Sequence, residues 1–208
     1  MWSSQQLKAA RGAGRGLMFV VCGPSGAGKT SVINRVMECV ESLSFSVSHT
    51  TRRQREGEIH GVDYYYVDDT EFQTLVDGGK LVEHVIYQGD QYGTSRGEIS
   101  RVFGAGRDLV LNIDVQGARL LQGKGAVPEA TAVYIFLTTP DRERLRERLE
   151  ERGTESQEVI EKRLATAEEE MKSLTEFDYL VVNDELDQAV RELVAIVTAE
   201  RVRIRSQG

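Results

Sequence analysis

Three glycines, a lysine and two hydroxyl side chains fall within one short stretch, Gly23-Pro24-Ser25-Gly26-Ala27-Gly28-Lys29-Thr30. Glycines let a backbone wrap so that successive N–H groups point at a single anion, at the positive end of a following helix. Lys29 adds a compact cation for the outer phosphates, and the Thr30 hydroxyl is of the type that ligates Mg²⁺. The spacing Gly23-x4-Gly28-Lys29-Thr30 is the P-loop pattern in full. It predicts a bound nucleoside triphosphate and phosphoryl-transfer chemistry.

P-loops serve many enzymes, so the acceptor must be read elsewhere. Arg52, Arg53 and Arg55 are concentrated in a chain whose formal charge is -7. Planar guanidinium groups pair with phosphate oxygens two bonds at a time, although a run of charge is also an ordinary solvated surface. Downstream lie Asp63-Tyr-Tyr-Tyr66 and Gln91-Tyr92-Gly93-Thr94, whose tyrosines fit either phosphate binding or packing within a β subdomain. His49, His60 and His84 read as loop or packing residues, with His49 next to Ser48 in sequence.

Taken together, several motifs resemble guanylate kinases in the family's own order. They are Ser48-His-Thr-Thr-Arg52-x-x-Arg55-x-Gly57-Glu58, Gly61-x-Asp63-Tyr64, Glu83, Tyr92-Gly93-Thr94 and Asp114-x-x-Gly117, then Arg152-Gly-Thr-Glu155, Lys162-Arg163-Leu164 and Val182-Asn183-Asp184. The resemblance spans roughly residues 16–200. It implies ATP-dependent phosphorylation of GMP, and of dGMP, to the diphosphate in purine nucleotide metabolism and GMP recycling. It further implies that Arg52, Arg55, Tyr64 and Tyr92 hold the GMP phosphate. Ser48, Glu83, Thr94 and Asp114 would read guanine, whose N1–H and 2-amino donors one carboxylate can accept together. Arg148, Arg152 and Arg163 match the family's lid arginines, and Asn183 matches a position near the adenosine of ATP. Lys29 and these arginines, with Arg52, would carry the catalytic charge neutralisation. Asn112 stands where the family usually has an acid close to Mg²⁺, so the metal is expected to be held less tightly.

These residues need elements to position them. The apolar run Leu17-Met-Phe-Val-Val-Cys22 before the loop reads as a buried parallel strand, and Val32, Ile33, Val36, Met37 and Val40 recur with helical spacing after it. Further strands are expected over 108–113, 132–137 and 179–182. Helical stripes follow at Ile160, Leu164, Ala167, Met171 and Leu174, and at Leu186, Val190, Leu193 and Val197. Thr139 before Pro140 and the box Thr154-x-x-Gln157 read as helix starts. Alternating strands and helices predict an α/β fold: a P-loop NTPase core whose parallel sheet is flanked by helices. Residues 17–205 form one domain, with a core over 17–45 and 97–205. An inserted α+β subdomain for GMP covers about 46–96, and a small lid about 148–163.

Composition fits this reading, with hydrophobic residues at 40% and charged residues at 28%. The negative balance argues against non-specific nucleic-acid binding, and no stretch is long and apolar enough for a membrane span. Cys22 and Cys39 are expected to be packing residues. Residues 1–16 lack an apolar signal core and read as a disordered leader, which makes the protein cytoplasmic. Three rival functions remain, one of them a plain NTPase switch that would hydrolyse its triphosphate without GMP. A protein-binding scaffold of the same family would typically have an eroded phosphate loop, and a kinase for another nucleoside monophosphate would not need Glu83 with Asp114.

Overall fold

The computed structural model describes residues 3, 16–87, 89–124, 127, 130–151, 153 and 156–205, with the backbone alone at 123 and 124. Most of the expected leader, and Arg152 and Thr154, lie outside these residues.

The apolar run before the loop is strand β1 (Gly16–Cys22), and its side chains alternate between two hydrophobic layers. Leu17, Phe19 and Val21 face one way, against Val32, Ile33 and Val36 of helix α1 (Lys29–Cys39). Met18, Val20 and Cys22 face the other. A strand buried on both faces must have a helix layer over each, and period-two alternation supplies the two apolar surfaces. Strand β2 (Leu43–Phe45) follows α1 and takes the sheet edge.

Residues 48–95 build a second, four-stranded sheet. Its strands are β3 (Ser48–Thr50), β4 (Tyr64–Tyr66), β5 (Leu81–Tyr87) and β6 (Asp90–Ser95), in the order β4-β3-β6-β5. Only the β3–β4 pair is parallel. Helix α2 (Asp69–Asp77) lies between β4 and β5 and opens with a capping box, in which Asp68 accepts from the Glu71 N–H and Glu71 from the Asp68 N–H. Strand β6 runs straight into α3 (Arg96–Gly104), whose Ile99 and Val102 pack against the main sheet. Thr94 is thereby tied to the core one residue before α3's capping Ser95.

The rest of the chain returns to the main sheet through β7 (Asp108–Asn112), α4 (Val115–Lys124), β8 (Ala130–Thr138), α5 (Arg142–Glu151), α6 (Gln157–Met171), β9 (Tyr179–Val182) and α7 (Leu186–Val202). The order is β2-β7-β1-β8-β9, with every pairing parallel. Helices α1 and α7 cover one face, and α3 and α4 the other. The three further strands expected from sequence are present to within two residues at each end.

Four local expectations need correction. The start of α5 is capped by Asp141, whose carboxylate accepts the Arg144 N–H at 2.8 Å, while the Thr139 hydroxyl bonds the Asp141 carbonyl. Helix α6 begins at Gln157 behind Ser156, so Gln157 sits too early to complete a box with Thr154. That helix ends at Met171, and its buried stripe is Ile160, Leu164 and Ala167 against Leu145 and Leu149 of α5. Leu174 instead starts a short 3₁₀ turn and joins the layer under α4. Finally, Cys22 is buried but Cys39, last in α1, is exposed. Among the described residues no helix is long and apolar enough to cross a membrane.

The loop leaves β1 at Gly23, where φ is +130° and a Cβ would lie 2.1 Å from the Leu137 carbonyl oxygen of β8. That overlap is with backbone, which cannot move without breaking the sheet. Gly23→Ala should therefore cost about 3 kcal/mol or more in chemical denaturation. A loss below about 0.5 kcal/mol would contradict the close approach.

Candidate active site

Residues 23–28 form the turn between β1 and α1, with Gly28 in the left-handed region as the N-terminal cap of the helix that Lys29 and Thr30 open. A Cβ at Gly28 would meet the Asn183 amide nitrogen at 2.4 Å, so glycine is required there for space as well as conformation. The Lys29 ammonium donates to the carbonyls of Gly23 at 2.5 Å and Pro24 at 3.0 Å. Arg148 donates to the Ala27 carbonyl at 3.2 Å and to the Asp184 carbonyl at 3.0 Å. Arg163 of α6 donates to the Ser25 hydroxyl at 2.5 Å. Asn183, just after β9 and 3% exposed, donates to the Ala27 carbonyl at 2.7 Å. Two cations and an amide from distant segments thus converge on the loop that Lys29 ends. The Asn183 carbonyl oxygen is buried and accepts no hydrogen bond among the described residues.

Thr30 stands exposed at the start of α1, and the Asn112 amide at the end of β7 donates to its hydroxyl at 3.2 Å. Both are neutral oxygen-bearing groups. Among the described residues no set of three or more His, Cys, Asp or Glu is arranged to hold a metal ion.

A second group lies on the four-stranded sheet. One Arg52 nitrogen donates to both Glu58 oxygens, at 2.8 and 3.0 Å, and its guanidinium lies 5.4 Å from the Tyr64 ring centre and 5.8 Å from that of Tyr66. The Tyr66 hydroxyl and the Arg55 N–H also donate to Glu58. Burial works against the Glu58 charge, but these hydrogen bonds outweigh it and hold its carboxyl at about 2. Tyr64 and Tyr92 sit edge to face with centres 6.0 Å apart. Ser48 is buried beside Tyr64 in the β3–β4 register. The Arg55 guanidinium is exposed and reaches the group through its backbone. His49 points away from Ser48 by strand alternation and stacks on Tyr65 at 4.8 Å.

The third group is acidic. Glu83 of β5 is 5% exposed and pairs with Thr94 of β6 across the sheet. Burial pushes its carboxyl up to about 7, with Thr94 opposing and Asp114 adding to the rise. Asp114 caps α4: one oxygen accepts the Gly117 N–H at 2.7 Å, and the other is buried with no donor among the described residues. Burial raises the Asp114 carboxyl too, while its hydrogen bonds and the Lys29 ammonium oppose this. The Lys29 charge, seated on the loop, is therefore also felt by Asp114.

Two residues near this centre were not singled out from sequence. One Glu170 oxygen is buried without a donor among the described residues, and burial lifts its carboxyl to about 7, opposed by Lys29 and reinforced by Asp114. Tyr87, last in β5, feels Glu170, Arg163 and Ser25. The available signal was spacing: Glu170 follows Arg163 by seven residues on α6, which places both on one helix face.

A strand, a glycine loop and a helix start bearing lysine and threonine, within an all-parallel sheet covered on both faces, define a P-loop α/β protein. The guanylate kinase family model matches residues 15–200. A guanylate kinase of Alkalilimnicola ehrlichii is 46% identical, over 92% of this chain and 93% of its own length. That of Coxiella burnetii is 45% identical, over 89% and 88%. The crystal structure of guanylate kinase from Anaplasma phagocytophilum superposes with a TM-score of 0.73 at 30% identity, covering 91% of this chain and 88% of that one. The chain belongs to the guanylate kinase family.

The acidic pocket makes stability depend on pH. Glu83 binds its proton more tightly folded, at about 7, than an ordinary carboxyl at 4.5. Its contribution is thus favourable below that lower value and is lost as pH rises through the folded one. Glu83→Gln, which cannot ionise, should exceed the wild type in denaturant stability by about 3 kcal/mol at pH 8 and by less than about 1 kcal/mol at pH 5. An equal difference at both pH values would contradict the buried charge.

Proposed function

We propose that this protein transfers the terminal phosphoryl group of ATP to GMP, and to dGMP, yielding ADP and the guanosine diphosphate. The observation that carries this is the pair of carboxylates Glu83 and Asp114, with an unpartnered Asp114 oxygen, in a chain with a complete phosphate loop whose Lys29 charge Asp114 feels. In this reading 17–45 and 97–205 are the ATP-binding core, 46–96 the GMP-binding subdomain and about 148–163 a lid. ATP supplied in the cytoplasm is the donor, and neither nucleic acid nor membrane takes part.

Each residue group has a matching task. The loop over Gly23, Pro24, Ser25, Gly26, Ala27 and Gly28 presents its N–H groups to the phosphates of ATP, and the free Asn183 carbonyl is an acceptor for a donor on the adenosine side. Lys29, Arg148, Arg152 and Arg163 neutralise charge on the transferring group. Arg52, Arg55, Tyr64 and Tyr92 hold the GMP phosphate, and Ser48, Glu83, Thr94 and Asp114 read guanine. The attacking atom is a phosphate oxygen, already anionic at neutral pH. No general base is needed, so catalysis reduces to alignment and charge neutralisation.

Thr30 and Asn112 fit Mg²⁺ as neutral oxygen donors, with the charge for the ion coming from the triphosphate. Bound there, Mg²⁺ would neutralise the oxygens between the outer phosphates. An amide at 112 contributes no charge of its own, which supports weaker metal retention than an acid would give.

A scaffold reading has less support, since the loop keeps Gly23, Gly28, Lys29 and Thr30. A panel of GMP, dGMP, AMP, UMP and CMP with ATP and coupled ADP detection tests the assignment. Adenine has a lone pair at N1 and no 2-amino group, so Glu83 would lose both donors. GMP and dGMP should turn over, with kcat/KM for AMP lower by about 10⁴. Comparable turnover of AMP, or ADP release independent of any monophosphate, would contradict it.

A further inference from the structure

Gly117 is a glycine without the usual reasons for being one. It lies in the first turn of α4, outside the set of glycines with left-handed φ, so no turn demands it. Glycine also weakens a helix relative to alanine, in backbone entropy and in exposure of the peptide groups. What surrounds its Cα supplies the reason. A Cβ there would lie 3.1 Å from Glu83 Oε2, 3.2 Å from Asp114 Oδ1 and 3.5 Å from Ile113 Cδ1. Two acidic side chains, one from the second sheet and one from the main domain, therefore close over the same bare Cα.

We propose that Gly117 is a specificity-determining residue: its missing side chain lets Glu83 and Asp114 converge on one guanine edge. This rests on the guanine reading given above. Gly117 acts in two ways. Its N–H holds Asp114 Oδ1 at 2.7 Å, which turns Oδ2 into the pocket as an acceptor with no partner among the described residues. Its open Cα face leaves Glu83 the room to lie flat against a planar base edge and take N1–H and the 2-amino group together. A methyl at 117 would push the Glu83 carboxylate outward by a few tenths of an ångström. Glu83 has little room to yield, because it is buried and its backbone is fixed opposite Thr94 in the β5–β6 ladder. Two hydrogen bonds to a rigid base tolerate such a shift poorly, since both must be aligned at once.

The test is Gly117→Ala with steady-state kinetics for both substrates, preceded by the wild type on GMP. A wild type inactive on GMP would overturn the underlying reading and this inference with it, before any variant is made. With an active wild type, KM for GMP should rise about tenfold in Gly117→Ala, and KM for ATP should stay within about twofold. Shortening the Glu83 carboxylate removes the tighter of the two contacts, leaving the one with the capping Asp114 oxygen. The double variant Glu83→Asp/Gly117→Ala should then bind GMP no more weakly than Glu83→Asp alone. If Gly117→Ala does not fold, the double variant should recover folding for the same reason. An unchanged KM for GMP, penalties that simply add, or a double variant that also fails to fold would each overturn the role given to Gly117.

Discussion

The structure depends on two carboxylates, one buried and one half-buried, at the seam between its sheets. Glu83 comes from the second sheet and Asp114 from the cap of α4, and they meet over Gly117. Burying such groups without donors is costly, and proteins answer by shifting the proton equilibrium or by supplying a ligand. Here the Glu83 proton affinity is raised, while Asp114 keeps one oxygen in its capping role and leaves the other empty-handed. The pocket is thus an acceptor awaiting a donor edge. The stability that tolerates it comes from the two apolar layers around β1, where Phe19, Ile135 and Phe136 are fully buried.

The phosphate side is arranged in the opposite sense. Lys29, Arg148 and Arg163 are occupied by carbonyls and a hydroxyl of the very loop that would receive the phosphates. Those contacts keep the cations in place at modest cost, and charged phosphate oxygens can outbid neutral acceptors for them. Arg52 is likewise held by Glu58 in a cage of tyrosines. Lys29 couples the two halves, because it interacts with Asp114 and Glu170 as well as with the loop.

Much of this was legible from sequence because it rests on short-range patterns. The loop declares itself by spacing, and β1, β7 and β8 by apolar runs that need burial on both faces. At the sheet edge, β9 is an apolar run that buries Val181 and leaves Leu180 and Val182 exposed. Strand β2 was not separable, since three residues are too few to show a period, and its place comes from pairing with β7. Helix α2 was hidden in a segment dominated by tyrosine, threonine and glycine, although Asp68 and Glu71 spelled a capping box. At the site, Arg52, Tyr64, Tyr92, Glu83 and Thr94 fall into the groups that the family resemblance implied, and Arg55 joins only through its backbone. Glu170 and Tyr87 escaped because their importance is purely tertiary. A glutamate on a charged helix looks like solvent-facing surface until α6 is packed beside the loop.

The central claim is that the Glu83 carboxylate is completed by the donors of the base. Calorimetric titration of GMP at pH 7, in buffers of different ionisation enthalpy, counts the protons released on binding. With Glu83 at about 7 in the free protein, fixing it as the carboxylate should release about half a proton beyond what Glu83→Gln releases. That excess should fall toward zero at pH 9. Identical proton counts for the wild type and Glu83→Gln at pH 7 would contradict the account.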